Sequence, residues 1–297
     1  MIVNRDNLVA LGRGFQGIFQ GGLDQAPSQY QEVAMDVTSL GKVEDYGWLN
    51  KLPNVREWLG DRVVHNLSQA KYSVRNKSWE LTIGVDRDDI EDDNLGIYNP
   101  LFDEMGRSTG GHYNQLVFDQ LKAGFATPCY DGQYFFDTDH PVIDATGAEV
   151  SVANTDGGAG APWFMLDLSR AIKPIVLQKR KAWQFVAKTA LTDDNVYSKK
   201  EFQYGVDARH NVGYGLWQMA WGSKQTLDVA HYRTGRESIM GLKGDHGRPL
   251  GGSPTHLVVG PSNEGAGLEI INAERNAAGA TNVYRGTAKL LVVPWLA

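Results

Sequence analysis

NPLFDEMGRSTGGHYNQLVFDQLKAGF, residues 99–125, is the stretch on which the reading of the fold turns. Asn99 stands in a capping position, Pro100 in a first turn with Asp103 and Glu104. Leu101, Met105, Thr109, Tyr113, Val117, Leu121 and Phe125 then recur every four residues, which predicts a helix of about seven turns with one apolar face. Gly106, Gly110 and Gly111 each weaken such a helix by roughly 1 kcal/mol relative to alanine, and so mark a bend or a close backbone approach. A helix of this length needs a partner along it.

Upstream the period changes. Val63, His65 and Leu67, then Tyr72 and Val74, alternate with polar residues; after a turn at Asn76-Lys77 come Trp79, Leu81, Ile83 and Val85 at period two. This pattern predicts a long antiparallel hairpin, which is marginal in water unless something covers it. Its entrance is YGWLNKLPNVREWLGDR, residues 46–62, where Pro53, Trp58, Leu59 and Gly60 predict a short helix. At the N-terminus, GRGFQGIFQGG, residues 12–22, carries five glycines around three apolar side chains. That is too little to fold on itself and too apolar for an idle tail, so it reads as an arm that packs on something else. Gly12 to Gly17 also match G-x-G-x-x-G, with Glu32 where a ribose-binding acid would be sought. No strand pattern precedes the motif, and Gly21-Gly22 are expected to break a following helix.

Asp86 to Asn94 holds six acids in nine positions, without the turn glycine or the twelfth-position glutamate of a calcium loop, and reads as a solvated segment. In Cys129 to Pro141, Asp137, Asp139 and His140 raise a metal reading, and Cys129 with His140 a thiol pair. A turn closed by Asp and Pro, and a small buried cysteine, explain the same residues. Asn154 to Pro162 and Lys243 to Pro254 read as exposed loops. Ile172 to Lys188 shows a strand pattern around Lys179-Arg180-Lys181, cations suited to a phosphate backbone or to a salt-bridge partner. Phe202 to Trp221 reads as extended, Asp228 caps a helix through Ile239, and Thr255 to Val259 is a short buried strand. Ser262 caps a helix through Arg275, and Ala288 to Val293 is a final strand.

Composition narrows the function. A chain of 297 residues with 42% hydrophobic content can bury a sizeable core, in one or two domains. A formal charge of -6 argues against tight binding to nucleic acid through phosphate neutralisation. Cys129 is the only cysteine, so neither an internal disulfide nor a Cys-rich zinc site can form, and the cytosol is the expected compartment. No signal peptide and no run long enough to span a bilayer is read.

Several segments together resemble the Mu-like prophage major head subunit (T protein) family. They are Gly21 to Leu23 with Ala26 to Tyr30, Tyr46 to Leu49 with Arg56 to Trp58, Ile83 to Tyr98, and Pro128 to Gln133 with Phe136, His140 and Pro141. Lys173-Pro174, Gln178 to Arg180, Tyr204-Gly205, Tyr214 to Ala220 and Thr255 to Val259 continue the likeness over nearly the whole chain, with departures in loop length around Asp144 to Gly160. The resemblance implies an α+β, Hong Kong 97-like phage capsid fold. Its parts would be an N-terminal arm (1–40), an extended β-hairpin or E-loop with its base (41–95), the spine helix of a peripheral domain (96–126), and an axial domain interleaved with returning peripheral-domain strands (127–297). It implies a major capsid protein that self-assembles, as hexamers and pentamers, into an icosahedral shell around packaged double-stranded DNA, which it touches weakly and non-specifically. Scaffold, portal and decoration proteins are the further partners expected. The resemblance further implies a separate scaffold and protease, and little sequence precedes the arm that could serve as a built-in scaffold domain. The expected location is the phage head, assembled in the bacterial cytoplasm, with no membrane contact.

Phe15, Phe19, Trp48, Leu52, Arg56, Trp58, Arg62, Tyr72 and Trp79 are the candidate contacts between subunits, since large aromatics with arginine make good anchors. No catalytic, cofactor-binding or metal residue is required. Two rival readings are an encapsulin-like shell around protein cargo and a nucleotide- or metal-dependent enzyme.

Overall fold

The computed structural model describes residues 2–47, 72–276 and 278–297. Along the chain come α1 (Arg5–Asp24), α2 (Tyr30–Val33), β1 (Ala34–Thr38), β2 (Val43–Asp45), β3 (Ser73–Arg75), β4 (Lys77–Asp86), α3 (Arg87–Glu91) and α4 (Asn99–Lys122). Then follow β5 (His140–Ile143), β6 (Glu149–Val152), β7 (Thr155–Gly158), β8 (Trp163–Leu166), β9 (Ile175–Lys188), α5 (Asp194–Lys199), β10 (Glu201–Tyr214) and β11 (Ala220–Lys224). The chain closes with α6 (Val229–Gly241), β12 (Lys243–Gly244), β13 (Arg248–Pro249), β14 (His256–Val259), α7 (Glu264–Ile271) and β15 (Lys289–Val292).

The long helix forms where its sequence places it, with two differences. Asn99 is its first residue and makes no capping bond from its side chain; Pro100 sits in the first turn. The buried stripe is Phe102, Met105, Gly106, Thr109, Gly110, Asn114, Val117, Phe118 and Leu121, while Leu101 is half exposed. A strict four-residue ladder gains about 40° of rotation at each step, so over this length it winds off any single face. The stripe that stays buried mixes three- and four-residue steps.

The N-terminal stretch corrects the reading of an arm unable to fold on itself. It is a 20-residue helix, capped by Asn4, whose side chain accepts from the Asn7 N–H at 2.9 Å. It lies on α4 of its own chain. Leu8, Phe15 and Phe19 are buried there, with Phe15 stacked on Phe102 at 4.1 Å. Five glycines cost about 5 kcal/mol of helix propensity, but burying three large apolar side chains contributes about 1.5–3 kcal/mol each. Glycines also let the helices touch. A methyl group on Gly22 would lie 2.1 Å from the Asp103 carbonyl oxygen, and one on Gly106 would lie 2.2 Å from that of Phe19. The G-x-G-x-x-G match therefore lies inside a helix, with no strand before it.

Two sheets carry the rest. The first has the order β1-β9-β10-β4, with β1 parallel to β9 and the other pairs antiparallel. The second has the order β15-β14-β8-β11-β7. In β8 all four side chains are buried: Phe164 and Leu166 join the core beneath α4, Trp163 and Met165 the core formed with Tyr232 of α6 and Ile270 of α7. Period-two alternation thus sews the two cores together.

Four further expectations change. β3 pairs with β2, and β4 with β10, so the chain runs on through Asn76 where a hairpin turn was expected. Asn76 is held there, its amide donating to Ser39 Oγ at 2.8 Å and to the Gly41 carbonyl at 2.9 Å. Thr155–Gly158, read as a loop, is the edge strand of the second sheet, parallel to β11. In the second loop, β12 and β13 form a two-residue pair. Ser262 lies in a 3₁₀ turn without capping, and its helix ends at Ile271.

Candidate assembly surface

The parity of β9 decides which face bears the candidate site. Ile175 and Leu177 point into the core with Val117, Phe118 and Leu121 of α4; Val176 and Gln178 point the other way. On that second face lie β2 and β3, the base from which residues 48–71 depart.

The base is built to hold still. Tyr46 donates its backbone N–H to the Tyr72 carbonyl at 2.8 Å, closing the strand pair. Its buried hydroxyl donates to Gln178 Oε1 at 2.7 Å. The Gln178 amide, fully buried, donates to the Val74 carbonyl at 3.1 Å and to Asn76 Oδ1 at 2.9 Å. Val74, Val176, Leu216 and Met219 pack round this network. A methyl on Gly213 of β10 would meet Val74 Cγ2 at 2.4 Å, so β3 lies as close to the sheet as a backbone allows. Burial drives the Tyr46 phenol well above its ordinary value, and that of Tyr72 up to about 12, so both stay neutral. Before β2, Glu44 closes a turn by accepting from the N–H groups of Leu40 and Gly41 and from Ser39 Oγ, at 2.7–2.9 Å. The Gly41 N–H, the Ser39 hydroxyl and the Leu40 N–H hold its carboxyl below the usual range. The turn presents Leu40, 81% exposed.

The nine candidate contacts divide accordingly. Trp48, Leu52, Arg56, Trp58 and Arg62 lie outside the described residues. Phe15 and Phe19 fill the chain's own interior. Tyr72 accepts from the Tyr214 N–H at 2.7 Å, so it belongs to the base. Trp79 is half-buried over α4: its indole donates to the His210 carbonyl at 3.1 Å, and its ring lies 4.4 Å from His112. Phe15 and Phe19 stand on the inward face of α1, whereas Tyr72 and Trp79 make these bonds and keep part of their surface open.

Other chemistry-bearing groups are likewise used locally. Lys179 pairs with Asp36 at 2.6 Å, and Lys181 with Asp207, which leaves Arg180 as the cation of the three without a direct carboxylate contact among the described residues. The acidic segment forms α3, capped by Asp86, with Asp89 accepting from Tyr98 Oη at 2.6 Å. Asp137 is committed to its turn, accepting from the N–H groups of Tyr134 and Thr138, while His140 faces Asp131. Asp137 and Asp139 lie against each other, the contact raising the Asp139 carboxyl, but His140 turns its Nδ1 to Asp131 instead, so the three do not gather as one metal-binding group. Asp131 and Gln178, which organise their surroundings, stand in segments that carry the family likeness, but no spacing in the sequence marks the role of either. No described helix is long and apolar enough to cross a membrane.

Comparison with known proteins places this geometry. Residues 8–296 match the family model of the Mu-like prophage major head subunit gpT. The major capsid protein of Escherichia phage Mu is 43% identical over 305 residues, covering 100% of both chains. Among solved structures, the procapsid of bacteriophage JBD30 matches with a TM-score of 0.87 at 41% identity, covering 99% of this chain and 100% of that one. The JBD30 capsid decorated with minor capsid protein trimers matches with a TM-score of 0.78 at 32% identity, covering 93% of each.

Proposed function

This chain belongs to the Mu-like prophage major head subunit family and is the major head protein of a Mu-like phage; from that premise we propose that residues 48–71, set on a rigid β2–β3 base, clasp a neighbouring copy in the shell. Its fold is the Hong Kong 97-like capsid fold, its place the phage head, and its role structural. The observation that carries the reading is the full-length superposition on a procapsid subunit, TM-score 0.87.

In this proposal the first sheet with α1 and α4 serves as the peripheral part, and the second sheet with α6 and α7 as the axial part. Trp48, Leu52, Arg56, Trp58 and Arg62 are the anchors. Each tryptophan buries on the order of 200 Å² on a neighbour, about 5 kcal/mol at 25 cal/mol/Å² before the ordering cost is subtracted. A rigid base lowers that cost, because the two ends of the segment are already in place. Each subunit is held by several neighbours at once, so modest contacts add up to a strong shell of hexamers and pentamers. The shell encloses double-stranded DNA, and the net charge of -6 keeps its wall from binding that DNA tightly. Scaffold and portal proteins, and minor capsid protein trimers like those on the JBD30 capsid, are its further partners. Assembly takes place in the host cytoplasm and needs no catalysis by this chain.

The test is expression of the protein alone, with electron microscopy of the product. Wild type should give closed shells, and Trp48→Ala with Trp58→Ala should give a soluble folded subunit, by circular dichroism, that assembles poorly. Normal shells from the double variant would remove the clasping role.

A further inference from the structure

Beyond assembly, one cluster of side chains has chemistry that the shell reading does not use. The turn after α4 brings Cys129 and Asp131 against His140, the first residue of β5, and one donor atom from each lies within 4.8 Å of the others. Cys129 Sγ–H donates to Asp131 Oδ1 at 3.1 Å, and His140 Nδ1 lies 2.7 Å from Asp131 Oδ2. His140 is fully buried and stacked flat on Trp217, ring centroids 3.9 Å apart, so its orientation is fixed. Cys129 is 6% exposed, and the Asp131 side chain, at 11%, is the member that reaches solvent.

The other ring nitrogen supplies an independent observation. His140 Nε2 lies 3.3 Å from Asn154 Oδ1. That amide cannot be turned round: its nitrogen donates to the Phe135 carbonyl at 2.8 Å, and its oxygen accepts from the Asp137 N–H at 2.9 Å. A histidine whose outer nitrogen donates to a fixed carbonyl oxygen while the inner one faces a thiol and a carboxylate is arranged as metal-binding histidines are.

We propose that Cys129, Asp131 and His140 bind one divalent cation of the zinc class through Sγ, one carboxylate oxygen and Nδ1, with water in the fourth position. On binding, the Cys129 thiol proton leaves to solvent and His140 Nδ1 coordinates through its lone pair, so the thiolate and the Asp131 carboxylate offset the two charges of the ion. A buried pocket thus gains a metal without gaining an uncompensated charge. Tetrahedral ligands at zinc distances stand roughly 3.3–3.8 Å apart, and one donor atom from each of the three residues already lies within 4.8 Å of the others, so binding needs shifts of about 1 Å. One thiolate and one imidazole favour zinc or cobalt over magnesium or calcium, which take oxygen ligands. The bound ion would staple the turn after α4 to β5 beside Trp217.

The chain's single cysteine makes the test specific, because any thiolate-to-cobalt charge-transfer band must arise from Cys129. Unassembled full-length protein is titrated with Co²⁺ and followed in the near ultraviolet, and Zn²⁺ is then added in competition. One saturating equivalent, displaced by Zn²⁺ and lost in Cys129→Ser, is the expected result. Asn154→Ala, checked for folding by circular dichroism, should weaken affinity about 10–100-fold while leaving the band in place. Absence of the band in folded wild type would overturn the proposal, and so would unchanged affinity in folded Asp131→Asn and His140→Gln variants, which would reduce the event to a lone thiol. Shell formation is scored separately, so failure here leaves the assembly reading intact.

Discussion

Replacing Gln178 with methionine keeps the length of a fully buried side chain but removes its amide, and the cost follows from the partners left behind. The Tyr46 hydroxyl loses its acceptor; the Val74 carbonyl and Asn76 Oδ1 lose their donor. Losing a buried hydrogen-bond partner costs about 1–3 kcal/mol, and the Val74 carbonyl keeps its place in the β2–β3 pairing, so the other two losses amount to roughly 2–6 kcal/mol if water cannot enter. Tyr46→Phe removes one hydroxyl and orphans only Gln178 Oε1, for about 1–2 kcal/mol. Urea unfolding of the unassembled subunit, followed by tryptophan fluorescence, measures both. Added to Gln178→Met, Tyr46→Phe should cost less than it does alone, because the hydrogen bond between the two side chains is already gone. The base should loosen at the same time, so shells of Gln178→Met should form more slowly than wild type at equal subunit concentration. A Gln178→Met change of less than about 0.5 kcal/mol, or strict additivity of the two substitutions, would refute a rigid hydrogen-bonded base.

Other outcomes are open to measurement. Gly106→Val should destabilise the subunit by several kcal/mol, since the added atoms would collide with the backbone of α1. Gly14→Ala, where nothing lies within 4 Å, should instead raise stability by about 0.5–1 kcal/mol in the same urea assay. Deleting residues 1–22 should leave the subunit unfolded or aggregated by circular dichroism and gel filtration, because Phe15 and Phe19 belong to its own core. A folded, assembly-deficient product would instead restore the free-arm reading.

His210 sets a pH dependence. Burial first, then the charges of His112 and Lys179, push it down to about 3, and its ring is enclosed by Trp79, His112, Tyr113 and Trp183 with both nitrogens unpartnered among the described residues. An unfolded chain therefore takes up a proton between about pH 6.5 and 3 that the folded chain refuses, so stability falls as pH falls through that window, by up to about 1.4 kcal/mol per unit. The urea midpoint should drop less steeply with pH in His210→Phe, and equal slopes in the two proteins would discount this histidine.

Much of the fold was legible where local and global preferences agree. Pro100 and the apolar repeat announce α4, Asp228 announces α6 by accepting from the His231 N–H at 2.9 Å, and alternation announces β9 and β4. Family likeness in scattered short segments carried the function, because a shell subunit has no constellation of reacting groups for a motif to record. The resemblance implied an extended hairpin over 41–95, but the pairing of β3 with β2 became visible only in the tertiary structure. A strand pattern shows which residues alternate and says nothing about which strand lies opposite.

By itself, then, the sequence determined that the chain is an α+β protein with one long helix, extended strands and a single thiol, and it determined the family. Only the tertiary structure decided that the glycine-rich N-terminus is a helix, since the energy that overrides its poor propensity comes from α4, far along the chain. It alone decided which residue His140 meets and which face of β9 holds Gln178. Those partners are distant in sequence or turned by a loop, and their energies come from burial and hydrogen bonds between segments, which no local pattern encodes.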